Sequence, residues 1–400
     1  MIKLSDLSDD ISDTIVMVFG DNKYVTKAIM SSLKNHKDWN DEIRGFFSDA
    51  VYDIVRYWRL LWYLLKKKPS LEKNDLLDII DAYLFYKEKI IHKTEMGHLD
   101  YNEMSKTLSY AKTVRVLRES IPDWLDKVGV NELGMKWDLV INALNQKPDI
   151  VIRTNTLKTT RDKLIKILDE EGIRSEKIDL APDAILLKHR TNIFRLLSFK
   201  EGFFEVQNAA SQMVSILLEP RPGMRVIDAC AGEGSKTIHL AALMENRGKI
   251  IALDNQEWKL NELRRRATRA GADNIETRFI DSSKIFKRLE ETADRVLLDV
   301  PCSGLGTIRR NPGIKWKLTP SDLERLKNIQ SELLYKYSKL LKKGGQMVFS
   351  TCSILFSEGE EQVKSFLEKQ SNNFHLIKEK RYWPQLDNTD GFYMALIERR

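Results

Sequence analysis

Between Gly223 and Arg400 short β-branched runs alternate with stretches of helical period, and this alternation restricts the fold more than any other feature of the chain. Strands are expected at Arg225 to Ala229, Lys249 to Leu253, Glu276 to Ile280, Arg295 to Val300 and Gln346 to Ser350, with last strands at Phe374 to Ile377 and Phe392 to Ile397. Helices are expected at Lys236 to Glu245, Glu257 to Ala270 and Ser321 to Leu341. Runs as continuous as Val296-Leu297-Leu298 suit a sheet covered on both faces. The pattern predicts a doubly wound α/β domain over residues 221–400.

The chain before it reads differently. Residues 1–130 predict an all-helical domain: from Asp41 to Lys66 apolar residues keep a 3.6-residue period, and Leu76 to Ile91 repeats it. The aromatic cluster Tyr52, Tyr57, Trp58, Trp62 and Tyr63 sits at core spacing. Residues 131–220 predict a small α/β domain in a β-α-β-β order. Its strands lie at Ile150 to Asn155, Ala184 to Leu187 and Phe203 to Val206, with a helix capped by Thr159 or Thr160 and stopped at Gly172. That order is ferredoxin-like, without the aromatic strand motif of RNA-recognition folds, so RNA contact there rests on shape and charge.

Composition narrows the class. With 42% hydrophobic and 31% charged residues the chain has ample core material. It carries no apolar run of membrane length and no apolar leader, so no membrane is expected and the default address is cytoplasmic. Three cysteines (Cys230, Cys302, Cys352) and six scattered histidines lack ligand spacing, so neither a disulfide framework nor a metal site is expected. The net charge of +7 concentrates in 151–200 (+4) and 301–350 (+7), which suits a polyanionic partner. The oligomeric state is open, with a monomer favoured.

The strand ends supply chemistry. After the first expected strand, Cys230-Ala231-Gly232-Glu233-Gly234-Ser235-Lys236 offers two glycines that let bare backbone approach a ligand at a helix start. The other strands end in Asp254, Asp281 and Asp299, and the first in Asp228. Asp254, 20 residues beyond Gly234, can accept both hydroxyls of an adenosine ribose, and Asp281 can accept an adenine amino group. A dinucleotide would want a third glycine, so S-adenosylmethionine fits this turn better.

Cys302 follows the strand ending in Asp299, and Cys352 follows the next one. Those strands are neighbours in the usual topology, which puts both thiols over one crevice beside the cofactor. Two thiols near a methyl donor suit methylation of cytosine at carbon 5. Thiolate addition at carbon 6 turns carbon 5 into a nucleophile, and a second thiol helps to release the product. Asp299 is suited to the cytosine N3, and a cation such as Lys236 favours the thiolate.

The segments Gln207-Asn208-Ala209-Ala210-Ser211, Asp228 to Thr237, Leu298 to Trp316, Ser350 to Ser353 and Asp390 to Tyr393 resemble the RsmB and Sun group (NSUN-type) of RNA (cytosine-5)-methyltransferases. The likeness runs from about residue 150 to the end. It implies a class I, Rossmann-like methyltransferase domain, with Cys352 as nucleophile and Cys302 assisting release. It also implies donor binding through Cys230 to Lys236, Asp254, Asp281 and Asp299. Where the family usually has Ala-Pro-Gly-Gly, this chain has Gly232-Glu233-Gly234-Ser235. The helical domain resembles the family's NusB-like RNA-binding domain only in being helical.

Arg309, Arg310, Lys315 and Lys317 follow Cys302 and are expected to form an RNA-phosphate rim beside a flipped base. Ribosomal RNA is the substrate that the resemblance implies. The competing readings are methylation of transfer RNA, a non-catalytic RNA-binding ribosome assembly factor, and a small-molecule methyltransferase.

Overall fold

A computed structural model describes residues 7–88, 99–189, 192–281 and 284–400. The chain divides into two compact units, residues 1–147 with 307–319, and residues 148–306 with 320–400.

In the first unit, helices continue through Lys136–Leu144, past the expected boundary at residue 130. The stretch expected as one helix from Asp41 is two, Asp41–Arg56 and Trp58–Leu64, because Tyr57 leaves the helical range at φ −105° and ψ 22°. Asn40 starts the first of them by accepting the Ile43 N–H at 2.9 Å. The next helix is Lys73–Glu88, and the part of the expected helix beyond it lies outside the described residues. Trp58 and Trp62 are buried and pack edge to face at 5.4 Å, so the aromatic cluster is core.

Segment 307–319 belongs to this helical unit and overturns part of the expected basic rim. Lys315 is fully buried, and its Nζ donates to the carbonyls of Arg56 (2.7 Å) and Glu119 (3.2 Å) and to Asn145 Oδ1 (3.1 Å). Burial holds its pKa well below the usual lysine value, with Arg56 pushing the same way. Arg309 is buried too and donates to the Ala143 carbonyl at 3.0 Å. Lys317 donates to the Asn22 and Lys23 carbonyls at 2.8 and 2.6 Å. These cations cap backbone acceptors within the helical unit, and burial withdraws Lys315 and Arg309 from a surface rim. Arg310 is partly exposed.

The second unit holds two sheets. The smaller has strands β1 (Ile150–Thr154), β2 (Ser175–Lys177), β3 (Ala184–Leu187) and β4 (Phe204–Val206) in the order β2-β3-β1-β4, all pairs antiparallel. Strand β2 is short and polar, and periodicity alone does not reveal it. Helix Arg161–Glu170 is capped by Thr160, as expected.

The larger sheet has β5 (Arg225–Asp228), β6 (Lys249–Asp254), β7 (Ile275–Phe279), β8 (Ala293–Asp299), β9 (Leu341–Thr351), β10 (Phe374–Tyr382) and β11 (Phe392–Arg399). Their order is β10-β11-β9-β8-β5-β6-β7, and β9 through β7 run parallel. Residues 226, 252, 297 and 348 enter one apolar layer, and 227, 251, 298 and 349 enter the other. Both faces are therefore covered, as the continuous apolar strands require. From β5 the chain winds outward through β6 and β7, then returns to β8 on the other side. The β5/β8 junction is thus the switch point, where a crevice opens at the strand ends.

Candidate active site

At that junction Asp228 closes β5, but its carboxylate does not line the crevice. It is buried, and its Oδ2 accepts the Thr237 hydroxyl at 2.7 Å. Burial pushes its pKa up to about 7, partly countered by that hydrogen bond. The turn after it is built for close approach. Gly232 (φ +55°) faces open space where a side chain would stand, so a ligand can reach its backbone. At Gly234 (φ +87°) a Cβ would come within 2.5 Å of Leu263 Cγ, so only glycine lets the helix Ser235–Leu243 start there.

Two arginines fix this turn. Arg266 donates to the Glu233 carbonyl (3.0 Å) and to Ser235 Oγ (2.9 Å), and Arg153 on β1 donates to the Ser235 carbonyl at 2.7 Å. Buried Glu205 on β4 pairs with Arg266 at 2.8 Å and also with Arg269. The small sheet thus braces the turn whose sequence departs from the family pattern. The hydroxyl of Ser235 is itself one of the braces.

Asp254, at the end of β6, accepts the N–H of Gly232 at 2.9 Å and that of Gln256 at 2.8 Å. Asp281 lies two residues beyond β7 and is exposed. Cys230 is packed against the apolar layer, and burial raises its thiol pKa, which suits a packing role.

Across the junction, Asp299 ends β8 directly opposite Ser350 of β9. Its Oδ1 accepts the Ser350 hydroxyl at 2.7 Å and its Oδ2 accepts Lys236 Nζ at 2.5 Å. Burial works against the charge on Lys236, but Asp299, together with Cys352 and Asp228, more than offsets it and holds the ammonium form. Beside this pair Cys302 and Cys352 bring their Sγ atoms to 3.3 Å, and both remain partly exposed. Hydrogen bonding to Cys352 and burial drive the Cys302 pKa well above the ordinary thiol value, with Glu358 adding to the effect.

Sequence reasoning missed a residue behind the thiols. Glu358 is fully buried; its Oε1 accepts the Ser303 N–H (2.8 Å) and Gln330 Nε2 (2.9 Å), and its Oε2 accepts the hydroxyls of Ser353 (2.5 Å) and Ser303. The available signal was the serine following each cysteine, a matched pair in need of a common acceptor.

An open sheet with a glycine turn at its switch point and acidic strand ends defines a class I methyltransferase. The pattern described as 16S rRNA methyltransferase RsmB/F matches residues 215–398, and the RsmF/B-like ferredoxin-like domain matches 121–194. A probable ribosomal RNA small subunit methyltransferase B from Synechocystis sp. is 36% identical over 87% of this chain and 85% of its own. One from Bacillus subtilis is 28% identical over 98% of both chains. The solved structure of PH0851 superposes with a TM-score of 0.81 at 27% identity, covering 98% of each chain. The chain belongs to the RsmB/F family of RNA methyltransferases.

Proposed function

We propose that the chain methylates carbon 5 of a cytosine in small-subunit ribosomal RNA, using S-adenosylmethionine and a covalent adduct on Cys352. The observation that carries this reading is the thiol pair, 3.3 Å apart beside a lysine–aspartate pair. The turn fits the donor: open space at Gly232 admits the ligand to bare backbone, and Asp254 presents a carboxylate at the next strand end. Cys230 to Lys236, Asp254, Asp281 and Asp299 would hold it. When bound, it supplies an electrophilic methyl group.

The chain's own residues do the rest. Lys236 stabilises sulfur anion on Cys352, whose lone pair forms the bond to carbon 6. As sulfur adds to carbon 6, N3 takes a proton passed from Lys236 through Asp299. The enamine electrons at carbon 5 take the methyl, and N3 then returns its proton to that pair. Once the Cys352 sulfur is a thioether it no longer holds the proton on Cys302. Cys302 can then give up that proton to solvent and take the one from carbon 5. The carbon 6–sulfur bond then breaks, its electrons returning to Cys352.

Two single variants test this with unmethylated small-subunit RNA. Cys302→Ala should accumulate a protein–RNA adduct that survives a denaturing gel, while Cys352→Ala should form no adduct and transfer no methyl. The reverse pattern overturns the roles, and full activity in both overturns the thiol mechanism.

A further inference from the structure

The two cysteines stand on separate loops, one after β8 and one after β9, and sheet pairing ends before either is reached. What keeps their sulfurs together must therefore lie outside the ladder. Glu358 accepts from the residue after each cysteine: the Ser303 N–H and hydroxyl on one loop, and the Ser353 hydroxyl on the other. Gln330 completes the set, because its Nε2 donates both to Glu358 (2.9 Å) and to the Pro301 carbonyl (3.0 Å), just ahead of Cys302.

Burying a carboxylate is costly, and all of these donors are neutral. An apolar plug would fill the same space at less cost. What a carboxylate adds is direction: two oxygens, each accepting two bonds, with both loops fixed to one rigid plane. Arg381 fixes the outer side of the Cys352 loop through the carbonyls of Ser353 (2.8 Å) and Leu355 (3.2 Å).

We propose that Glu358 is a positioning residue that sets the separation of the Cys302 and Cys352 sulfurs by tying together the serines that follow them. The proposal rests on the thiol reading above, and its test must be separable from it. Glu358→Ala removes the common acceptor, and kcat should fall about 100-fold, the scale expected when reacting groups shift by an ångström. Donor affinity, measured by calorimetry, should stay at the native value, because the donor turn is braced independently by Arg153 and Arg266. Glu358→Gln should recover most of the rate: its oxygen still accepts, and its amide can donate to the two hydroxyls.

A native kcat in Glu358→Ala overturns the proposal. So does a donor affinity that falls in step with kcat, which marks a merely structural role. If the alanine variant does not fold, Ser353→Ala serves in its place. It should lower kcat about tenfold at native donor affinity, and a native rate there overturns the proposal. Cys352→Ala run in parallel separates the two ideas, since methyl transfer by that variant defeats the thiol reading whatever Glu358 does.

Discussion

Lys315→Met separates a structural cation from a phosphate contact. The thioether keeps most of the stem's packing but donates nothing. The Arg56 and Glu119 carbonyls and Asn145 Oδ1 are then each one partner short. At about 1 kcal/mol for each unmet buried acceptor, the loss is about 3 kcal/mol. Removing a cation from buried surroundings returns part of this, leaving a net destabilisation of about 2 kcal/mol. Tryptophan fluorescence during urea unfolding reads the right unit, because Trp39, Trp58, Trp62, Trp124, Trp137 and Trp316 lie in it. With a urea slope of about 2 kcal/mol per molar, the midpoint should fall by about 1 M. RNA affinity should keep its salt dependence. An unmoved midpoint, together with a logarithmic salt slope shallower by about one, would return Lys315 to the phosphate rim and refute the reasoning.

Two further changes test the site's frame. Asp228 is neutral in the folded chain up to about pH 7 but ionises at its ordinary 3.8 once unfolded. It therefore favours folding below pH 3.8, and that stability is lost as pH rises through 7, by roughly 4–5 kcal/mol at about 1.4 kcal/mol per unit. Asp228→Asn should flatten this part of the stability–pH curve and raise stability at pH 8, read by denaturant titration; an unchanged curve contradicts the assigned burial cost. At Gly306 an added Cβ would lie 2.1 Å from the Gly391 carbonyl oxygen and 2.8 Å from that of Cys352, all backbone. Gly306→Ala should therefore displace the Cys352 loop and lower kcat at least tenfold, and a native kcat would contradict the close approach.

Much of the catalytic unit was legible because the sheet writes itself into strand composition. Apolar runs ending in Asp254, Asp299 and the two cysteines required parallel strands with a common rim, and β8 and β9 are indeed neighbours. The number of strands and the wide glycine turn followed from the same pattern. The fate of the basic cluster could not be read that way. A lysine that caps buried carbonyls and one that meets phosphate have the same spelling, and only the packing around Lys315 decides between them. Glu358 was hidden for a related reason: its acceptor role depends on Ser303, far off in sequence but brought close by strand pairing. The break at Tyr57 also escaped periodicity, because the apolar stripe continues across it.

The bracing of the donor turn bears on how this enzyme can be dissected. A fragment beginning at residue 215, where the catalytic family match starts, would contain every cysteine and every acidic strand end. It would lack Arg153, and Arg266 and Arg269 would lose the carboxylate of Glu205. Arg266 would then keep only the Glu233 carboxylate, 4.0 Å away, beside the turn proposed to hold the donor. A minimal catalytic module therefore has to start upstream of β1, and grafting the methyltransferase sheet onto a foreign domain means carrying the four-stranded sheet along with it.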